Sequence, residues 1–393
     1  MKNVWNKEME TMSRVEMESL RLEKLRRQLK YCYENSEFYK KKFDQVGAKP
    51  EEIVTWDDFR KLPILMTKDD ERASRDESME RFGHPFGMHL CVPPERIVLA
   101  KTTSGTTGLP TFSYSYTKRD LERWLECSAR LCWMSGIRPG DRILYCLPLS
   151  GGGAVSGGML SGTFTHIGAL PLDIGVEVGM EKIFQFAQLT KPTVLASSPS
   201  FAISMIEKCK EITGREIRNF GFKKLFFTGE AGIEMPALRE SIEGAFGARW
   251  FDFRGPNAEG FSASCNAKER QGLHEVAPDF SIFGEDLVDP VTKQPIPVED
   301  AVIGETVITS LDREGAPFVK YATGDVIQVF TKFCECGYTG PGYRNKMLGR
   351  VDDMLTIEDV AVFPAAIQDV ITSFMPRVTG AMRVILTEKP PKV

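Results

Sequence analysis

Residues 97–111 read IVLAKTTSGTTGLPT. A β-branched run passes into Thr102-Thr103-Ser104-Gly105-Thr106-Thr107-Gly108-Leu109-Pro110-Thr111, where six hydroxyls and two glycines lie in ten residues. Glycines let a backbone turn its N–H groups inward, and hydroxyls add short donors for anionic oxygens. A loop of this chemistry suits a polyphosphate. It is not a Walker A loop, because the Gly-x4-Gly-Lys-Ser/Thr spacing is absent. Composition alone leaves a Thr-rich surface turn as the alternative.

Around this loop the chain alternates strands and helices. Helical patterns occupy residues 116–136 (YTKRDLERWLECSARLCWMSG), 200–214 and 235–247. Strand patterns occupy residues 141–149 (DRILYCLPL), 192–199, 223–232 and 249–256. This β-α-β-α order predicts an α/β fold, a sheet covered by helices on its faces. Residues 285–297, 304–311 and 318–330 read instead as strands and turns, a β-rich subregion. Toward the N-terminus, Leu20, Leu25, Leu29 and Tyr33 recur at helical spacing among charges, which predicts a helix packed by one face. Phe38, Tyr39 and Phe43 anchor a second short helix, and Thr55 and Thr67 are candidate N-caps.

Composition narrows the function classes. The chain has 393 residues with 50 Lys+Arg against 54 Asp+Glu, a net charge of −4. Such a balance gives no general pull toward nucleic acid or acidic membranes. The N-terminus lacks an apolar signal core, and the most apolar stretch, residues 143–172, is interrupted by glycines. The expectation is a soluble, cytoplasmic protein with no membrane partner. Nine cysteines are present, and without a signal sequence reduced thiols are expected. Cys265, His274, Cys334 and Cys336 together offer three thiolates and an imidazole, an accepted tetrahedral zinc set. Their spacing leaves open both a closed metal site and ordinary reduced cysteines.

Four strings now combine. Residues 104–110 resemble the Ser-Gly-Thr-Thr-Gly-x-Pro phosphate loop of adenylate-forming enzymes. Phe227-Thr228-Gly229-Glu230-Ala231-Gly232 resembles their adenine-side turn. Tyr321-Ala322-Thr323-Gly324-Asp325 resembles their Thr-Gly-Asp motif. Gly349-Arg350-Val351-Asp352-Asp353-Met354 resembles their hinge. With residues 33–47 and 59–70, they follow the order of the phenylacetate–CoA ligase family from about residue 30 to 370.

The resemblance implies an ATP-dependent carboxylate–CoA ligase acting on an aryl or small organic acid through an acyl-adenylate. It implies ATP/AMP, Mg²⁺ and coenzyme A, with Ser104, Gly105, Thr106, Thr107 and Gly108 on the phosphates. Gly229, Glu230, Ala231, Asp252 and Phe253 would flank the nucleotide, Asp325 would accept from the ribose hydroxyls, and Arg350 would face the ribose or phosphates. Glu259 would help hold Mg²⁺. Ser150, Gly151 and Gly152, with Gly229, are candidates for the acyl pocket. Family relatives carry Gly-Leu-His with a later Cys-x-Cys-Gly, and Gly272-Leu273-His274 and Cys334-Glu335-Cys336-Gly337 match. The resemblance therefore implies structural Zn²⁺ on Cys265, His274, Cys334 and Cys336. The family often forms dimers, so a homodimer is allowed.

The expected organisation is a large body, residues 1–348. Within it, residues 1–95 are expected to be helical, residues 96–279 α/β and residues 280–348 β-rich. Residues 349–393 are expected to be a hinge and an incomplete C-terminal domain, since 43 residues follow Arg350. Two stretches depart from the family pattern. Phe253-Arg254-Gly255-Pro256-Asn257-Ala258-Glu259 displaces the usual aromatic, and Glu358-Asp359 stands where a glycine loop approaches the thiol. Acids there would repel coenzyme A phosphates. Two alternatives follow: loading of a carrier-protein thiol, or a nucleotide-binding protein with weak or no turnover.

Overall fold

The computed structural model describes residues 4–102, 110–149, 159–230, 235–254, 260–267, 272–338, 340, 342–357, 360–374, 377–378, 382 and 385. Its centre is a mixed sheet with thirteen strands among the described residues. Strands Leu170–Asp173, Arg142–Tyr145, Val194–Ser197, Lys224–Phe227 and Arg249–Arg254 lie side by side and parallel. Arg249–Arg254 then pairs antiparallel with Ser262–Ala263. The antiparallel run continues through Leu273–Glu275, Arg344–Arg350, Tyr321–Phe330 and Ile303–Ser310. The β-rich stretch is thus the antiparallel half of the same sheet.

Side chains of the parallel strands alternate between two cores. Ile143, Tyr145, Val194, Ala196, Phe226, Phe251 and Phe253 face one, while Leu144, Cys146, Leu195, Leu225, Phe227 and Trp250 face the other. Strands buried on both faces read as continuous apolar runs, which is why LFF and VLA carry no polar alternation. The first core is closed by Leu25, Leu29 and Cys32 of helix Arg14–Asn35 and by Trp124, Cys127 and Leu131 of helix Lys118–Met134. The second is closed by helices Met180–Thr190, Pro199–Thr213 and Pro236–Phe246. Each fully buried Leu or Phe contributes about 1.5–3 kcal/mol by leaving water.

Local signals set the helix ends. Thr55 and Thr67 are N-caps as expected, each in a capping box with Asp58 and Asp70. The first long helix differs from expectation. Its buried stripe is Met17, Arg21, Leu25, Gln28, Leu29 and Cys32, with Leu20 and Tyr33 only partly covered. Two polar residues share that stripe because each has a partner. Gln28 donates to the Arg313 carbonyl at 2.8 Å and accepts from the Arg313 N–H at 3.0 Å. Arg21 pairs with Glu285.

The same helix meets a buried charge cluster. Asp279 is fully buried and faces Arg130, Arg123 and Lys24. Burial alone would raise its carboxyl, but these cations, Arg130 foremost, hold it down at about 2. The cluster ties the two long helices to the segment leading into the antiparallel strands. No helix among the described residues is long and apolar enough to cross a membrane.

Candidate active site and metal centre

The Gly/Thr loop connects, in sequence, two strands that form their own small sheet apart from the main one. Leu99–Lys101 pairs with Tyr114–Tyr116, with Lys101 opposite Tyr114. Ser104, Gly105, Thr106, Thr107 and Gly108 lie outside the described residues, as do Ser150, Gly151, Gly152, Ala231 and Glu259. The loop's C-terminal flank is described. Thr111 and Ser113 are both 3% exposed. The Lys68 ammonium donates to Thr111 Oγ1 at 2.6 Å.

Asp325 lies in strand Tyr321–Phe330 directly opposite Arg350. Arg350 Nη1 and Asp325 Oδ1 are 2.7 Å apart. The strand backbone around Asp325 is held by three hydrogen bonds. Thr323 Oγ1 donates to the Thr306 carbonyl at 3.0 Å and accepts from the Asp325 N–H at 2.9 Å. Glu305 Oε1 accepts from the Gly324 N–H at 3.0 Å. Gly324 has φ +79°, and a Cβ there would lie 3.0 Å from Arg350 Nη2. A side chain would therefore strain the backbone and displace the guanidinium. Burial pushes the Asp325 carboxyl above its ordinary value, while Arg350 and then Arg254 pull it back.

Arg254 is a further candidate that the motifs do not point to. It ends strand Arg249–Arg254, and its Nη1 donates to Asn345 Oδ1 at 2.6 Å. With Lys68 and Arg350 it adds a third cation around Asp325 and the hairpin flank. The preceding residues point elsewhere. Phe253 is 2% exposed and stacked on Phe226 with ring centroids 4.0 Å apart. Asp252 is 8% exposed and accepts from Trp250 Nε1 at 2.5 Å. Neither is brought to an open face.

Gly229 and Glu230 follow the end of strand Lys224–Phe227. Gly229 has φ +88°, which lets the chain turn sharply off the sheet. The Glu230 carboxylate accepts from the Ser200 N–H at 3.0 Å and from Ser200 Oγ at 2.5 Å, so it caps helix Pro199–Thr213. Gly229, Arg254 and the residues after Tyr145 all lie at the carboxyl ends of parallel strands. In open α/β sheets that edge is where ligands bind.

The four metal-ligand candidates converge. Cys265 follows strand Ser262–Ala263, His274 lies in the neighbouring strand, and Cys334 and Cys336 sit in the turn beyond Phe330. Their ligand atoms all lie within 4.8 Å of one another. Cys265 and Cys334 sulfurs are 3.8 Å apart, and Cys336 Sγ is 3.5 Å from His274 Nε2. A tetrahedral ion with Zn–S near 2.3 Å and Zn–N near 2.0–2.1 Å requires edges of about 3.8 Å and about 3.5 Å. Backbone N–H groups of Ala267 and Tyr338 donate to the Cys265 and Cys336 sulfurs at 3.5 and 3.4 Å. The Cys265 thiol is drawn down to about 3, first by its hydrogen bond with Cys336 and then, against burial, by His274. The donor set therefore fits zinc in residue type and spacing, and four protein ligands leave no open position for catalysis. The six other cysteines are buried.

No family model matches the chain. Phenylacetate-coenzyme A ligase of Thermus thermophilus is 30% identical over 98% of this chain and 81% of its own length. The chain belongs to the phenylacetate–CoA ligase family. The Pseudomonas putida enzyme of that name is also 30% identical, over 92% of this chain and 76% of its own. A solved 2-hydroxyisobutyryl-CoA ligase in complex with 2-HIB-AMP superimposes with a TM-score of 0.82 at 27% identity. It covers 95% of this chain and 76% of the ligase. The same ligase with 2-HIB-AMP and CoA, in the thioesterification state, gives a TM-score of 0.77 at 28% identity and the same coverage.

Proposed function

We propose that this chain is an AMP-forming carboxylate–CoA ligase for an aryl or small organic acid. The observation that carries the reading is Asp325 and Arg350 fixed opposite each other across adjacent strands, at a sheet whose solved relatives hold an acyl-adenylate. A carboxylate oxygen attacks the ATP α-phosphorus and pyrophosphate leaves. The coenzyme A sulfur then attacks the acyl carbon, and AMP departs with the oxygen that linked it.

The residues divide this work by charge and reach. Asp325 offers two acceptor oxygens to the ribose hydroxyls. Arg350 balances that carboxylate and presents its remaining donors toward the nucleotide. Ser104, Gly105, Thr106, Thr107 and Gly108 cradle the phosphates, and Lys68 and Arg254 add positive charge at the flank and the strand end. Gly229, Glu230 and Ala231 border the adenine, while Ser150, Gly151 and Gly152 border the acyl group. Glu259 is the Mg²⁺ ligand in this reading, and the ion would offset phosphate charge. Cys265, His274, Cys334 and Cys336 hold a structural zinc.

In this reading residues 1–348 form the body and 349–393 begin at a hinge. Gly349 opens that segment, where a Cβ would lie 2.5 Å from the Phe363 ring, so only glycine fits there. We place the reaction in the cytoplasm, where ATP and reduced thiols are supplied. Coenzyme A is favoured as acceptor over a carrier-protein thiol because a solved relative is held with both 2-HIB-AMP and CoA.

Pyrophosphate release with a panel of aryl and short-chain acids tests the reading. Release should depend on the acid, and coenzyme A should be consumed in step with it. ATP binding without release for any acid would sink the ligase reading, and release without coenzyme A consumption would favour a protein thiol.

A further inference from the structure

One buried carboxylate joins three segments near Asp325. The Glu71 side chain is 1% exposed and lies in helix Lys68–Phe82. Its Oε2 accepts from Lys68 Nζ at 2.6 Å and from the Tyr321 hydroxyl at 3.2 Å, and its Oε1 accepts from the Ser113 hydroxyl. These donors come from different places. Lys68 opens the helix, Ser113 flanks the Gly/Thr loop, and Tyr321 begins the strand that carries Asp325.

The backbone brings them together. Met66 bridges Tyr321 in parallel, the Ala322 N–H donates to the Met66 carbonyl at 2.9 Å, and the Leu65 N–H donates to the Lys320 carbonyl at 3.1 Å. Immediately afterwards the Thr67 cap starts the helix. Lys68 and Glu71 are thereby delivered between strand and hairpin.

We propose that Glu71 is a positioning residue for acyl-adenylate formation. Its carboxylate clamps Lys68, the loop flank and the Asp325 strand into one unit and keeps the Lys68 ammonium charged beside the loop flank. This deepens the ATP-dependent reading above and rests on it.

The charges around the pair make the inference testable. Burial lowers the Lys68 ammonium, Glu71 opposes that, and Arg72 and Arg350 add repulsion. Glu71 is held below its usual range: burial would raise it, but Lys68, Ser113 and nearby His89 together outweigh burial. Tyr321 also faces Tyr114 and Asp325, and His89 also faces Arg313. Among these groups Glu71 is the anion in direct contact with Lys68. Its removal should lower the pH at which Lys68 loses its proton by roughly 1–3 units, because a buried cation loses its counter-charge.

The test is ATP affinity of the full chain at about pH 7 and about pH 9, for wild type, Glu71→Gln, Glu71→Asp and Lys68→Met. Glu71→Gln should bind within about threefold of wild type at the lower pH and about tenfold or more weaker at the higher, as Lys68 neutralises. Glu71→Asp should fall between the two, and it serves if the Gln variant does not fold. Lys68→Met should be weak at both values, with a ratio to wild type that does not change. A variant-to-wild-type ratio for Glu71 that is the same at both pH values would overturn the proposal. Pyrophosphate release by the wild type is scored separately. A chain that binds ATP without turnover fails as a ligase while the Glu71 result stays readable.

Discussion

Exchange of Cys334 for serine should empty the proposed zinc site and lower the melting temperature by roughly 5 °C or more, since loss of a metal site belongs to the mutations costing about 4 kcal/mol or more. Its four ligands come from three segments of the antiparallel half. Cys265 follows one strand, His274 sits in the next, and Cys334 and Cys336 hang from the turn after the Asp325 strand. Serine is close in size but is a poor zinc ligand, so the volume is kept while one coordinate bond is lost. The remaining Cys265 and Cys336 thiols and His274 must then be solvated or share protons inside a largely closed pocket. Zinc content per chain measures the effect. Wild type purified without chelator should carry close to one equivalent, and less than about half an equivalent would count against the site.

Exchange of Asp325 for alanine should weaken ATP and AMP binding by about 1–3 kcal/mol, the range for hydrogen bonds to a charged group. Two losses add. The ribose hydroxyls lose their acceptor, and Arg350, 2.7 Å away, loses the partner that orients it. The side chain is 18% exposed, so the ion pair is sheltered enough to matter. Asp325→Asn should lose less, because one acceptor oxygen remains while the charge does not. Calorimetric titration with AMP checks both variants without requiring turnover. Unchanged affinity in the alanine variant would remove Asp325 from the site.

The sequence and the structure agree most closely where short-range chemistry decides. Capping boxes at Thr55 and Thr67 and the runs in residues 224–227 and 194–197 are all local patterns with one stable outcome. Long-range pairing is less visible. The β-rich stretch reads as a separate subregion, yet its strands extend the parallel sheet, because the join at Ser262–Ala263 is a two-residue strand with no periodicity to detect. The helix Met159–His166 and strand Leu170–Asp173 are hidden by the glycines around them.

The same division holds at the site. Asp325 and Arg350 can be named because each sits in a recognisable motif, and the register between their strands makes them neighbours. Glu71, Lys68 and Arg254 cannot. Lys68 and Glu71 look like ordinary polar residues in a charged helix, and only the Met66–Tyr321 bridge turns that face inward. Arg254 stands in the stretch that departs from the family pattern. Phe253 carries an aromatic expectation for the nucleotide, but strand alternation sends its ring into the core against Phe226.

The central claim is that a carboxylate is activated by bonding to the ATP α-phosphorus. That chemistry moves an oxygen atom from the acid to AMP. The direct measurement is a turnover with an acid labelled in both carboxylate oxygens with heavy oxygen, followed by mass analysis of the nucleotide product. Heavy oxygen in AMP, one atom for each thioester formed, is the predicted result. Unlabelled AMP, or ADP as the nucleotide product, would contradict an acyl-adenylate mechanism for this chain.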